Sequence, residues 1–230
     1  MPRFEILCLA NSRKYQARCI AGLRYDRQGW LRPIGTAEKG ALTVEECSYP
    51  DGSEPKILDR ISVELIDVCP EWHQPENWTA VAGSFRCVSS PDGKVRLDRL
   101  QRRLEPGPEL LGSQTNHIEQ AHFSAANPAQ SSLALVLPEQ IFWYWKLTGK
   151  GKRQVRVRFR LAQARYDLAV TDPAWEERCS VIEEPDTLYT NEDIGYCPDA
   201  NSRLLFTVSL GQPYNGHYYK LVAAVFAVPV

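Results

Sequence analysis

Eight cations crowd into twenty residues of this chain with no acid among them: Lys146, Lys150, Lys152, Arg153, Arg156, Arg158, Arg160 and Arg165. The other 19 Lys and Arg face all 28 Asp and Glu, so this segment stands at +8 on a remainder of −9. Segregation of that kind builds a local positive potential that a formal net charge of −1 conceals. Within it, Val155, Val157, Phe159 and Leu161 alternate with Arg156, Arg158 and Arg160. That is the period of a strand with one apolar and one cationic face. Alternate side chains on a strand stand about 6.5–7 Å apart, close to the roughly 6–7 Å between successive phosphates of an extended single strand. Each guanidinium offers a planar fork to a phosphate oxygen. A solvated strand face paired with neighbouring acids gives the same pattern, and both readings stand here.

Phe142-Trp143-Tyr144-Trp145 precedes the cations. If the two segments form a hairpin through Thr148-Gly149-Lys150-Gly151, one alternating pair of rings packs inward and the other lies beside the arginines. Rings beside cations make the stacking-plus-charge surface used for single strands. The alternative buries all four. A sparser basic set, Arg13, Lys14, Arg18, Arg24, Arg27 and Arg32, has Asp26 as the one acid between Asn11 and Ile34, and Trp30 shares strand parity with Arg32. The expected nucleic-acid-binding surface therefore comprises Lys150, Lys152, Arg153, Arg156, Arg158, Arg160, Trp143 and Trp145, with Arg13, Lys14, Trp30 and Arg32 as a second patch.

No catalytic constellation is legible. His73, His117, His122 and His217 are scattered, and neither the Cys69–His73 nor the His117–His122 spacing has a second half to complete a zinc site. Gly149-Lys150-Gly151-Lys152 lacks the spacing of a phosphate loop. Asp167 and Asp172 do not make a metal-binding carboxylate pair with a lysine. Gln74-Pro75-Glu76-Asn77-Trp78 is a polar knot that suits a ligand or, equally, a structural turn. No cofactor and no metal are expected.

The elements that must position these residues are mostly strands. Segments Arg3–Ala10, Arg18–Tyr25 and Trp30–Ile34 read as strands, the last two joined by the turn Asp26-Arg27-Gln28-Gly29. Ile57–Cys69 changes phase near Leu65–Ile66, which predicts a bulge or bend. Ala80–Val88 reads as a strand closed by Ser90-Pro91-Asp92-Gly93. Leu97, Leu100 and Leu104 predict a helix over Val95–Leu104, stopped by Glu105-Pro106-Gly107-Pro108. Ser132–Leu137, Ile141–Lys146, Gln154–Leu161, Tyr166–Thr171, Leu204–Leu210 and Tyr218–Ala227 complete the strands. The fold expected from these strands is mainly β, two small barrels or sandwiches with one short helix and a long polar connection. The boundaries are 1–110 for the first barrel, 111–131 for the linker or long loop and 132–230 for the second barrel.

A length of 230 residues suits two compact domains. The longest apolar run, Leu221–Val230, is half of the roughly 20 residues a membrane helix needs. Seven scattered cysteines without a C-x-x-C pair fit a reducing compartment, so a cytoplasmic location without membrane association is expected.

Six strings stand in order along nearly the whole chain: Cys8–Lys14, Arg18–Gly22, Gln74–Trp78, Tyr166–Leu168 with Val170–Pro173, Ser209–Gly211, and Tyr219–Ala223. In these the chain resembles the bacterial dual OB-domain family, often linked to mobile or defence-related gene neighbourhoods. The resemblance implies two OB-type barrels and a nucleic-acid or nucleotide ligand. It leaves open the roles of Asn11, Asn77, Thr171, Asp172, Ser209 and Lys220. The expected function is a non-catalytic module for single-stranded DNA or RNA. Two alternatives are a nucleotide-sensing or protein-adaptor module of a defence-type system and a nucleic-acid-processing enzyme.

Overall fold

The computed structural model describes residues 1–90 and 95–230. The chain divides into two compact units, one of residues 1–95 with 121–132 and one of 96–120 with 133–230.

The first unit holds β1 (Arg3–Lys14), β2 (Ala17–Arg24), β3 (Trp30–Ile34), α1 (Val44–Cys47), β4 (Arg60–Val68), β5 (Asn77–Ala80) and β6 (Arg86–Ser89). The strand order is β1-β2-β3-β5-β4-β6, and β1 also pairs with β4, which closes five strands into a barrel. β3 and β5 run parallel. Apolar residues of alternate strand positions, including Ile6, Cys8, Ile20, Leu31, Ile61 and Val63, fill its interior. β1 bends at a register slip between Cys8 and Ala10, where Gly22 of β2 passes so close that a Cβ would sit 2.2 Å from the Leu7 carbonyl oxygen. The phase change in β4 is a register slip against β5 between Leu65 and Val68: Leu65 is buried, whereas Ile66 and Val68 are exposed.

The second unit holds α2 (Leu97–Leu100), β7 (His117–Glu119), β8 (Leu133–Val136), β9 (Glu139–Leu147), β10 (Arg153–Leu161), β11 (Ala164–Val170), α3 (Pro173–Arg178), β12 (Ser202–Tyr214) and β13 (His217–Pro229). The order is β8-β12-β13-β11-β10-β9, with β7 added to β13. Only Leu137 and Pro138 separate β8 from β9, so the two are halves of one bent strand. β9 pairs with β10 and β8 with β12, and the ring closes through that bend. Here β11 and β13 are the parallel pair. Both units thus follow one path, first-second-third-fifth-fourth-first, with a short helix (α1 or α3) between the third and fourth strands. That is the five-stranded Greek-key barrel of the OB-fold.

Three segments differ from the sequence reading. The helix expected over Val95–Leu104 shrinks to α2 and a 3-10 turn at Gln101–Arg103. Beyond it the chain is drawn into a β-bridge between Leu104 and Leu135, with the Glu105 amide donating to the Leu135 carbonyl at 2.7 Å. Ala80–Val88 is not one strand, because residues 81–85 turn between β5 and β6. Within 111–131, β7 pairs with β13, while residues 121–132 group with the first unit. The turn read at Ser90-Pro91-Asp92-Gly93 runs into residues 91–94, outside the described ones. Among the described residues no helix is long and apolar enough to cross a membrane. All seven cysteines are free thiols.

Candidate nucleic-acid interface

The alternation in β10 becomes a two-faced strand. Val155, Val157, Phe159 and Leu161 are buried in the core of the second barrel, and Arg156, Arg158 and Arg160 project outward. Hydrogen-bonded register then fixes the aromatic run on β9. Trp143 lies opposite Val157 and Trp145 opposite Val155, so both tryptophans share the valine face. Tyr144 lies opposite Arg156 and Phe142 opposite Arg158.

The expectation that Trp143 and Trp145 flank the row of Arg156, Arg158 and Arg160 is therefore corrected. Trp143 is fully buried, stacked on Trp175 at 4.7 Å, with its indole N–H donating to Asn191 Oδ1. Trp145 is half-buried and donates to the Ile182 carbonyl. The rings beside the arginines are Phe142, which is exposed, and Tyr144, which lies beneath Arg158 at 4.8 Å from ring centroid to guanidinium carbon.

Carboxylates from both neighbouring strands meet the arginines. Asp167 on β11 accepts from Arg156 Nε at 2.7 Å and from Arg158 Nε at 2.9 Å, and Glu139 on β9 accepts from Arg160 at 2.6 Å. The Tyr144 hydroxyl stands 2.7 Å from both Asp167 oxygens. Burial pushes the Asp167 carboxyl up, but hydrogen bonds from Arg158, Tyr144 and Arg156 outweigh it and hold the group below the usual aspartate range. Burial, then the bond to Asp167, raises the Tyr144 phenol. Two guanidinium groups thus share one carboxylate. Arg158 and Arg160 keep 49% and 42% of their side chains in solvent, against 15% for Arg156. Exposed pairs of this kind are weak and screened by salt, so they leave these arginines open to exchange partners.

On this face and its turn Arg156, Arg158, Arg160, Arg165, Lys150 and Lys152 stand against these two carboxylates, and the strip stays positive. Lys150 and Lys152 stand exposed on the turn from β9 to β10. That turn is fastened by the Thr148 amide donating to the Lys152 carbonyl and the Gly151 amide to the Thr148 carbonyl, each at 2.8 Å. Arg165 is exposed opposite Arg160. Arg153 is engaged elsewhere: its guanidinium donates to the carbonyls of Cys179 and Ile182 and covers Trp145 at 4.8 Å.

The second patch does not assemble on the surface. Arg32 is 1% exposed, because β3 lies between β2 and β5 within the sheet and its guanidinium meets Glu76 at 3.2 Å and the Ser132 hydroxyl at 2.8 Å. Ser132 in turn donates to Glu76 from both its amide and its hydroxyl. Nearby, the Ala129 amide donates to the Trp72 carbonyl at 2.7 Å. Residues 129–132 of the chain therefore cover the third strand and the fourth-to-fifth-strand loop of the first barrel. Lys14 is half-buried and donates to the Lys39 carbonyl, and burial lowers its ammonium below the ordinary lysine range. Burial first, then Arg32 and Lys14, bring His73 down to about 4, so it is neutral at physiological pH. Arg13 is exposed beside the β1–β2 turn and Trp30 is half-buried at the start of β3.

The strings behind the family resemblance act as fasteners. Asn11 donates to the Pro55 carbonyl, and Asn77 is buried within 3.4 Å of Gln74. Thr171 donates to the Val222 carbonyl, and Ser209 to that of Leu210. Asp172 caps α3 through the amides of Ala174 and Trp175 and also accepts from the Val225 amide. Lys220, 1% exposed, donates to the Ser113 carbonyl and hydroxyl and the Thr115 carbonyl, over the Tyr166 ring. Among the described residues no three His, Cys, Asp or Glu gather as metal ligands.

Sequence reasoning missed one aromatic group. Tyr214, His217, Tyr219 and His117 meet at the tip of the β12–β13 hairpin, and the available signal was the turn pair Asn215-Gly216 between the first two.

Fold and face together define a double small-barrel protein with one cationic barrel surface. The chain belongs to the family of the dual OB-containing domain, whose model matches residues 4–225. No curated protein matches it. Among solved structures it is similar to a murine DNA-binding protein bound with double-stranded DNA, at 9% identity and TM-score 0.31 over 100% of both chains. It is also similar to the tetrameric p202 HIN2, at 9% identity and TM-score 0.30 over 100% of this chain and 93% of that one. Likeness at that level carries no inference about function.

Proposed function

We propose that the second barrel binds single-stranded nucleic acid along β10 and β11, with its phosphates against Arg158, Arg160 and Arg165 and against Lys150 and Lys152. The observation that carries the reading is the outward, solvent-facing row of Arg158 and Arg160 on a strand whose neighbours supply fewer carboxylates than it has cations. In OB-folds the second and third strands and the loop between the first two form a ligand face, and β10, β11 and the 148–151 turn occupy those positions here. That correspondence is an analogy of fold. Exchange of Asp167 and Glu139 for phosphate costs little because those pairs are exposed or half-exposed. In the first barrel the corresponding region holds the buried Arg32–Glu76 pair beneath residues 129–132, so the reading centres on the second barrel alone.

The test is anisotropy of a labelled oligothymidylate over a salt series. Affinity is expected to fall steeply with salt, and the K150A/K152A/R158A/R160A variant to lose about 0.7 of log–log slope for each contact removed. Absence of binding by the unaltered chain at low salt, or an unchanged variant, overturns the proposal.

A further inference from the structure

The hairpin tip of the second barrel carries four rings that the fold does not bury. Asn215 and Gly216 both have positive φ, +48° and +78°, the conformation of a two-residue type I′ turn. This turn sets Tyr214 directly opposite His217. On the other side β7, a strand outside the five-stranded ring, brings His117 opposite Tyr219. The resulting cluster is compact: His117 meets His217 edge-to-face at 4.4 Å, and Tyr219 lies 5.7 Å from His117, 6.0 Å from His217 and 6.4 Å from Tyr214. The His217 Nδ1 stands 2.8 Å from the Asn215 carbonyl, which can only accept, so Nδ1 carries the proton and the ring is held against the turn.

Strand parity decides which way the cluster faces. On β13 the alternating residues Tyr218, Lys220 and Val222 are buried, which turns His217, Tyr219 and Leu221 outward. β13 runs parallel to β11, with Leu221 level with Ala169. Two residues back, Tyr219 faces the same side as Asp167, the residue opposite Arg158. Asn116 bridges the two strands there, accepting from the Lys220 amide on its carbonyl and from the Asp167 amide on its side chain, each at 3.0 Å. The rings and the arginine row therefore lie on one outer face of one barrel. Tyr214 is 59% and Tyr219 37% exposed. Tyrosines have a planar apolar face whose exposure to water serves no packing purpose here.

We infer that Tyr214 and Tyr219, backed by His117 and His217, form a stacking platform for unpaired nucleobases of the strand whose phosphates lie on β10. This deepens the proposed function and rests on it. The cations fix the backbone by charge, and the rings make binding depend on the bases. Glu119, opposite His217, stands at the platform edge as an acceptor for base N–H groups rather than as a phosphate contact.

The experiment compares a labelled oligothymidylate with an abasic strand of equal length and charge. The unaltered chain is expected to prefer the oligothymidylate. In Y214A/Y219A that preference should fall by about tenfold or more while affinity for the abasic strand stays within about twofold. Y214F/Y219F, which keeps the rings, should behave as the unaltered chain. In the unaltered chain, an iodouracil-substituted strand should photocrosslink to the peptide holding Tyr214 and Tyr219. If Y214A/Y219A keeps the full base preference, or crosslinks form only elsewhere, the platform is wrong and the charge-based reading survives. If the unaltered chain binds neither strand, both fall.

Discussion

Asp167 sits opposite Arg158 in the β10–β11 ladder and accepts from its guanidinium at 2.9 Å, while Arg156 takes the other oxygen at 2.7 Å. One carboxylate thus restrains two of the three arginines in the row. D167N should release that restraint. Affinity for an oligothymidylate at about 50 mM salt is expected to rise three- to tenfold, roughly, with a steeper salt dependence. Stability should fall by about 1–2 kcal/mol as the hydrogen bonds weaken. Anisotropy and urea unfolding measure the two effects separately, and weaker binding by a folded D167N would contradict the assignment of this face.

The Arg32–Glu76 pair makes a different prediction, because both side chains are withdrawn from water. E76A leaves a buried guanidinium without its carboxylate and should cost about 3–5 kcal/mol. R32M/E76M, which removes both charges, should recover most of that loss. Urea midpoints decide it, and oligonucleotide binding by the folded fraction should not change.

Lys220 gives a pH dependence with a definite sign. Burial lowers its ammonium from the ordinary 10.5 to about 7, with the Glu109 carboxylate acting in the opposite direction. Between these values the unfolded chain holds more protons than the folded one, so the lysine's contribution is full above 10.5 and declines as pH falls toward 7. Compared with K220M, the unaltered chain should gain up to about 5 kcal/mol of stability as pH rises across that window. Parallel pH profiles for the two proteins would refute the shift.

D172A removes two cap bonds from α3 and leaves the Val225 amide inside the barrel without its acceptor. The expected loss is about 2–4 kcal/mol, roughly one from the cap and the remainder from the amide. Calorimetry would show a correspondingly lower Tm for D172A.

Local chemistry in the sequence determined the alternation of Arg156, Arg158 and Arg160 with the valines, because strand parity needs no distant partner. It also carried the β3 limits and the strand-rich double architecture. Residues 95–104 resisted reading, since their leucine spacing suits a helix while the Leu135 carbonyl, distant in sequence, captures the next residues. The fates of Trp143 and Arg32 were decided only by tertiary structure. Register against β10 turned Trp143 into the core, and Glu76 and Ser132 enclosed Arg32. The platform needed both scales: Asn215-Gly216 encodes the turn, but only long-range pairing brings β7 and His117 to it. Spacing along a chain sets which residues share a face; which acids, rings or loops meet that face depends on strands that pair across the fold.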